Sequence, residues 1–195
     1  GFYSAQDADS EGEEGKFFLW NAEEIREVLG ASDEARAALR YWGVEDGPNF
    51  EGRNILFVPR EPREVVAELG VSEAELAGLI SRARERLYAA RERRIHPGRD
   101  DKVLGAWNGL ACRAFAEAGR ALGRPDYTQA AVKNAEFILS AMRKDGRLLR
   151  SWKDGEAKLL GYLEDYSMVA DALLSVYEAT FDLKWLDAAR GLADD

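Results

Sequence analysis

The sequence contains one cysteine and one histidine in 195 residues. A single cysteine forms no internal disulfide, which fits a reducing, cytoplasmic setting. That residue, Cys112, follows Ala111 in an apolar helical stretch with no base near it in sequence, and reads as a small packing residue. His96 stands before Pro97-Gly98, where it reads as a helix C-terminal cap favoured by the dipole. No apolar run approaches the roughly 20 residues that a membrane helix needs. A start methionine, a charged n-region and an apolar h-region are all missing. The chain therefore reads as a piece of a longer protein, and the missing signal says little about the parent's address. Positive charge is short as well. The net charge of −9 argues against nucleic acid or an anionic membrane as partner. The one arginine-rich run, Arg82 to Arg94, is interrupted by Glu85 and Glu92 and lacks flanking aromatics, so it reads as a solvated helix face. Asp7, Asp9, Glu11 and Gly12 match the opening of a calcium loop, but the twelfth position is Phe18 where a bidentate Glu is required. No metal and no cofactor is expected.

What is present is a repeat. Leu110, Ala111, Ala114, Phe115, Ala118 and Leu122 form one apolar stripe at helical spacing, and Gly123-Arg124-Pro125 ends that helix. A second helix from near Asp126 carries Tyr127, Ala130, Ala131, Phe137 and Ile138. The pattern returns with Met168, Val169, Ala172, Leu173, Val176 and Tyr177, then Trp185, Ala188, Ala189 and Ala193. Leu110 to Met168, Ala114 to Ala172, Tyr127 to Trp185 and Ala130 to Ala188 are each 58 residues apart. A shared register over two helices predicts a repeated helix pair. The expected fold is mainly α: a single domain over residues 1–195, built of repeated helix pairs with short β-hairpins between them.

Other elements read locally. Phe2 to Ala5 and Lys16 to Trp20 are expected to be strands around an acidic turn. Asn21 to Glu24 and Ser72 to Glu75 are capping boxes, the second opening a long helix towards Arg94. A helix is expected over 33–42, closed by Gly43, and a short strand over 54–58, bounded by Pro59 and Pro62. Asp154-Gly155 between extended runs signals a hairpin.

Under the 58-residue offset, Ala106-Trp107-Asn108 falls on Glu164-Asp165-Tyr166, and both triplets sit at helix entrances. Stacked helix pairs place equivalent ends on one side, so these polar groups are expected to share a rim. The expected catalytic residues are Asp101, Glu164 and Asp165, since a carboxylate pair flanking a bond is what glycoside hydrolysis needs. The expected substrate-binding residues are Asp7, Asp9, Lys102, Trp107, Asn108, Trp152 and Tyr166, aromatic platforms beside hydrogen-bonding groups. Against this stands the ordinary role of Asp and Glu at helix entrances, as caps and dipole partners.

Several stretches also carry a family resemblance. Phe2-Tyr3-Ser4-Ala5-Gln6-Asp7-Ala8-Asp9-Ser10-Glu11-Gly12, Asp100-Asp101-Lys102-Val103-Leu104, Trp107-Asn108-Gly109-Leu110, Asp145-Gly146-Arg147-Leu148, Arg150-Ser151-Trp152 and Leu163-Glu164-Asp165-Tyr166 resemble the spermatogenesis-associated protein 20 family. Its bacterial members are known as highly conserved thioredoxin-domain-containing proteins. The resemblance covers essentially the whole chain. It implies a parent with an N-terminal thioredoxin-like domain, absent here, followed by an (α/α)6 toroid similar to N-acylglucosamine 2-epimerases and six-hairpin glycosidases. This chain would then be a partial (α/α)6 toroid. Epimerases of that fold use a histidine pair, and this chain has one histidine, so that reaction does not carry over. Two functions follow. One is a carbohydrate-active cleft, an isomerase, epimerase or hydrolase. The other is a non-catalytic module that presents a sugar or protein to the attached thioredoxin-like domain. A partial toroid also leaves open side faces, so either exposed apolar surface or self-association of the chain is expected there.

Overall fold

The computed structural model describes residues 1–195. Contacts group the chain into two compact units, residues 7–98 and residues 1–6 with 99–195. The first strand, β1 (Ala5–Gln6), belongs to the second of these.

In the unit 7–98, β2 (Asp9–Ser10) pairs antiparallel with β3 (Glu13–Glu14). The hairpin is shorter than the sequence suggested. Lys16 to Phe18 is a turn, not a strand, because Phe18 and Leu19 bond back to the Gly15 carbonyl. Four helices follow: α1 (Ala22–Leu29), α2 (Asp33–Tyr41), α3 (Pro62–Leu69) and α4 (Glu73–Arg91). Both capping boxes close as expected, Asn21 with Glu24 and Ser72 with Glu75. The expected strand at 54–58 does not form. Asn54 makes one bridge to Trp20, while Ile55, Phe57 and Val58 stand exposed without a partner strand. Pro62 opens α3 at its first turn, where its missing N–H costs nothing. Ile25, Leu39, Val65, Leu76 and Ile80 form the core. The arginines of α4 pair across to α2: Arg82 and Arg86 hold the two oxygens of Glu34 at 2.7 and 3.0 Å. The helix expected to be a solvated face thus turns two of its arginines to an inter-helix clamp. Arg94 gives one guanidinium nitrogen to the Phe17 and Leu19 carbonyls and lies 4.0 Å over the Trp20 ring.

In the other unit, β1 pairs with β4 (Arg99–Asp100). Then β5 (Val103–Leu104) leads into α5 (Gly105–Ala121), followed by α6 (Pro125–Ala141). A small sheet comes next, β6 (Arg143–Lys144), β7 (Arg147–Lys153) and β8 (Glu156–Leu160), with β7 also pairing β5. Two hairpin turns hold it, and in both of them two successive residues have positive φ: Asp145-Gly146 and the expected Asp154-Gly155. The chain ends its regular structure in α7 (Leu163–Thr180) and α8 (Leu183–Asp194).

The repeat is plain in these bounds. Helix α7 begins 58 residues after α5, and α8 begins 58 residues after α6. Arg113 bonds Asp171 at 2.5 Å and Arg120 bonds Glu178 at 2.9 Å, each pair 58 residues apart. Two such pairs advancing together make α5 and α7 parallel and in register. One expectation shifts. The buried face of α5 runs through Asn108, Gly109, Cys112, Ala116 and Gly119, while Leu110, Ala114 and Leu122 of the expected stripe are exposed. Small residues line that face because α7 comes very close. A Cβ on Gly109 would lie 2.7 Å from the Met168 main chain. On α7 the expected stripe holds, with Val169, Ala172, Leu173 and Val176 buried.

Candidate functional site

The polar groups of the second unit converge where α5 and α7 begin, because β5 and β7 pair directly beneath those two ends. Asp165 is the centre of the arrangement and is 0 % exposed. Its Oδ1 accepts the Ala106 N–H at 2.8 Å. Its Oδ2 accepts the Tyr162 N–H at 2.9 Å and an Arg150 N–H at 3.1 Å. One carboxylate thus caps two helices, its own α7 and α5, and neutralises a guanidinium. Glu164, beside it and exposed, takes the same Arg150 nitrogen at 2.7 Å. The two carboxylates raise Arg150 above the usual guanidinium range, Glu164 first. The guanidinium also stacks 4.5 Å over the exposed Tyr162 ring. Arg150 and Tyr162 were not singled out from the sequence. The one available signal was a basic residue directly after the apolar pair Leu148-Leu149, followed fourteen residues later by two acids at a helix entrance.

The remaining expected residues divide by environment. Asn108 is buried, and its amide works entirely on main chain. Its oxygen accepts Phe2 N–H at 2.7 Å, and its NH2 donates to the Phe2 and Leu104 carbonyls at 3.0 and 2.9 Å. It behaves as a one-residue strand partner for the N-terminal segment. Trp152 packs edge-on against Phe137 at 5.3 Å, at the margin of the core. Tyr166 is half-buried, and its hydroxyl accepts the Leu148 N–H at 2.9 Å. Trp107, in the first turn of α5, is 55 % exposed. Asp101 pairs with Arg99, and Lys102 pairs with Asp100 at 3.1 Å, holding the Asp100 carboxyl below its usual range. The partner of Lys102 is thus a near neighbour in sequence and not Glu164 or Asp165. Asp7 and Asp9 belong to the other unit, where both are exposed and the Asp9 N–H bonds the Asp7 side chain in a local turn.

Chemically, the cluster of Asp165, Glu164 and Arg150 is saturated on its buried side and open on the Glu164 side. Asp165 already accepts three donors and is fully buried, so its remaining acceptor site is closed to a substrate. No helix of the chain is long and apolar enough to cross a membrane.

Comparison with known proteins agrees with the motif resemblance. No family model matches the chain. The human protein named spermatogenesis-associated protein 20 is 31 % identical over 228 aligned positions, which take in 100 % of this chain and 29 % of the human protein. The mouse and rat proteins of the same name are each 32 % identical with the same coverage. The whole chain is homologous to a segment of spermatogenesis-associated protein 20. This supports its placement in that family. The chain spans under a third of the length of these relatives.

Proposed function

We propose that this chain is a non-catalytic scaffold segment within an (α/α)6-type toroid of a spermatogenesis-associated protein 20 relative. It would hold a helix rim against a sugar or protein partner for an attached thioredoxin-like domain. The supporting observation is the state of Asp165. A catalytic carboxylate needs access to substrate and a matched acid or base. Asp165 is instead enclosed and consumed by two amides and Arg150. The 58-residue pairing of α5–α6 with α7–α8 supports the toroid part, since such arrays grow by adding the same unit.

One observation favours the second reading, a carbohydrate-active rim. Exposed Tyr162 lies against Arg150 beside Glu164, an aromatic and charged pattern suited to a sugar ring, and Trp107 is a second exposed aromatic at a helix entrance. Proton exchange at sugar carbons separates the two. The chain is incubated with a panel of hexoses and N-acylhexosamines in deuterated buffer, alongside Glu164→Gln. The scaffold reading expects no deuterium incorporation and no glycoside cleavage by either protein. Turnover by the wild type that disappears in Glu164→Gln would sink it in favour of the enzyme.

A further inference from the structure

An open groove of the second unit, about 500 Å3, lies against α7 and α8. The helix residues lining it are Leu163, Tyr166, Ser167, Ala170, Leu192 and Ala193. Each stands 58 residues after a buried residue of the preceding pair: Gly105, Asn108, Gly109, Cys112, Asn134 and Ala135. Across α5 that earlier surface is closed by α7 itself, whose main chain passes over Gly109. The groove is therefore the next berth in the repeat, the same surface one unit further on.

The opposite face of the repeat is open too. Helix α7 enters its berth with Asp165, Val169, Ala172 and Val176, all buried. The equivalent residues of α5 are Trp107, Ala111, Ala114 and Ala118; of these Trp107 and Ala114 are exposed and the two others half-buried. One molecule thus carries both an unfilled berth and an unspent copy of the face that fills it.

We propose that in the 195-residue chain this groove takes the α5 face of a second copy, so that copies stack head to tail. Charge and shape both favour this occupant. Within one copy, Arg113 and Arg120 of α5 bond Asp171 and Glu178 of α7. Carried one unit on, Asp171 and Glu178 occupy the berth side, and the incoming face presents Arg113 and Arg120 of the second copy. Every pair keeps opposite signs, and the ladder alternates across the junction. At the helix entrance the internal contact is Gly105 against Asp165. At the junction it becomes Leu163, 85 % exposed, against Trp107 of the second copy, two apolar side chains without another covering. Ser167 stands where Gly109 does, so the second copy's helix sits slightly further out than α7 does on α5. The contact is heterologous, and such contacts extend until a ring closes.

The test uses two surface variants whose substitutions also suit a helix first turn: Leu163→Glu, which spoils the groove, and Trp107→Glu, which spoils the incoming face. Circular dichroism and melting confirm that each is folded. Sedimentation then measures mass from micromolar to millimolar concentration. The wild type is expected to rise with concentration beyond the mass of a dimer. Each variant alone is expected to stay monomeric. Their equimolar mixture, with one intact groove and one intact face, is expected to form a dimer and nothing larger. A wild type that is monomeric throughout overturns the proposal and leaves the groove to a helix pair supplied from other sequence. So does an associating wild type that either variant leaves unchanged, or a mixture that stays monomeric.

Discussion

Gly109 on α5 lies directly against the main chain of Met168 on α7, where an added Cβ would meet the Met168 carbonyl carbon and oxygen at 2.7 Å. The neighbouring atoms are backbone and have little room to give. Gly109→Ala is expected to force the two helices apart and cost about 1–3 kcal/mol. Gly78, mid-way along α4, meets only the end of the Arg82 side chain at 3.4 Å, so Gly78→Ala is expected to stabilise by about 0.5–1 kcal/mol. Urea denaturation of both variants checks the contrast, and equal shifts would contradict the close-approach account.

Asp165→Ala removes the acceptor for two amides and leaves Arg150 with Glu164 alone. The expected loss is about 3–5 kcal/mol, as for one partner deleted from a buried charged network. Asp165→Asn keeps an acceptor oxygen and is expected to lose less. If the alanine variant melted like the wild type, the capping role would be wrong.

The two tryptophans that the 58-residue repeat places on first turns and second helices differ in burial. Trp185 is 2 % exposed and Trp107 is 55 % exposed. Trp185→Ala is expected to cost about 3–5 kcal/mol and Trp107→Ala under about 1 kcal/mol. Thermal melts of the two variants decide it, and a large loss at Trp107 would place it in the core.

Burial pushes the Cys112 thiol up to about 12. At neutral pH it is therefore a protonated, enclosed packing group. A thiol reagent is expected to label it only after denaturant is added. Rapid labelling of the native chain would show a breathing motion that opens the core between α5 and α6.

The bonds from Arg82, then Arg86, hold the Glu34 carboxyl below its ordinary 4.5. A depressed folded pKa contributes stability that is present above the unfolded value and lost as pH falls through the folded one. The wild type is expected to lose stability on acidification below about pH 4.5, and Glu34→Gln to lose less over that window. Parallel acid limbs for the two proteins would remove Glu34 from the acid transition.

The repeat was legible from sequence because it is a translation: four apolar positions keep one offset whatever they pack against. Both capping boxes were legible because their partners lie three residues apart. The strand expected at Asn54 to Val58 failed because a strand needs a partner, and nothing local announces that one is missing. The buried face of α5 was misplaced for a related reason. Leu110 and Leu122 look like core residues, but the helix is buried through its glycines and alanines, where α7 presses in. Asp165 was expected as a catalytic residue with capping as its ordinary alternative, and only the 2.8 Å bond to Ala106 shows that it caps a backbone 59 residues away.

That bond also bears on how the unit assembles. Leu104, the residue before α5, makes no side-chain cap, so the first turn of α5 is sealed by a carboxylate from the following pair. Without α7 the Ala106 N–H at the start of α5 loses its side-chain acceptor. The first pair is therefore an incomplete folding unit, and the two pairs gain their order together. An array wired this way unfolds as a block, not by peeling off its last helices, because losing α7 also unfastens the start of the pair that remains.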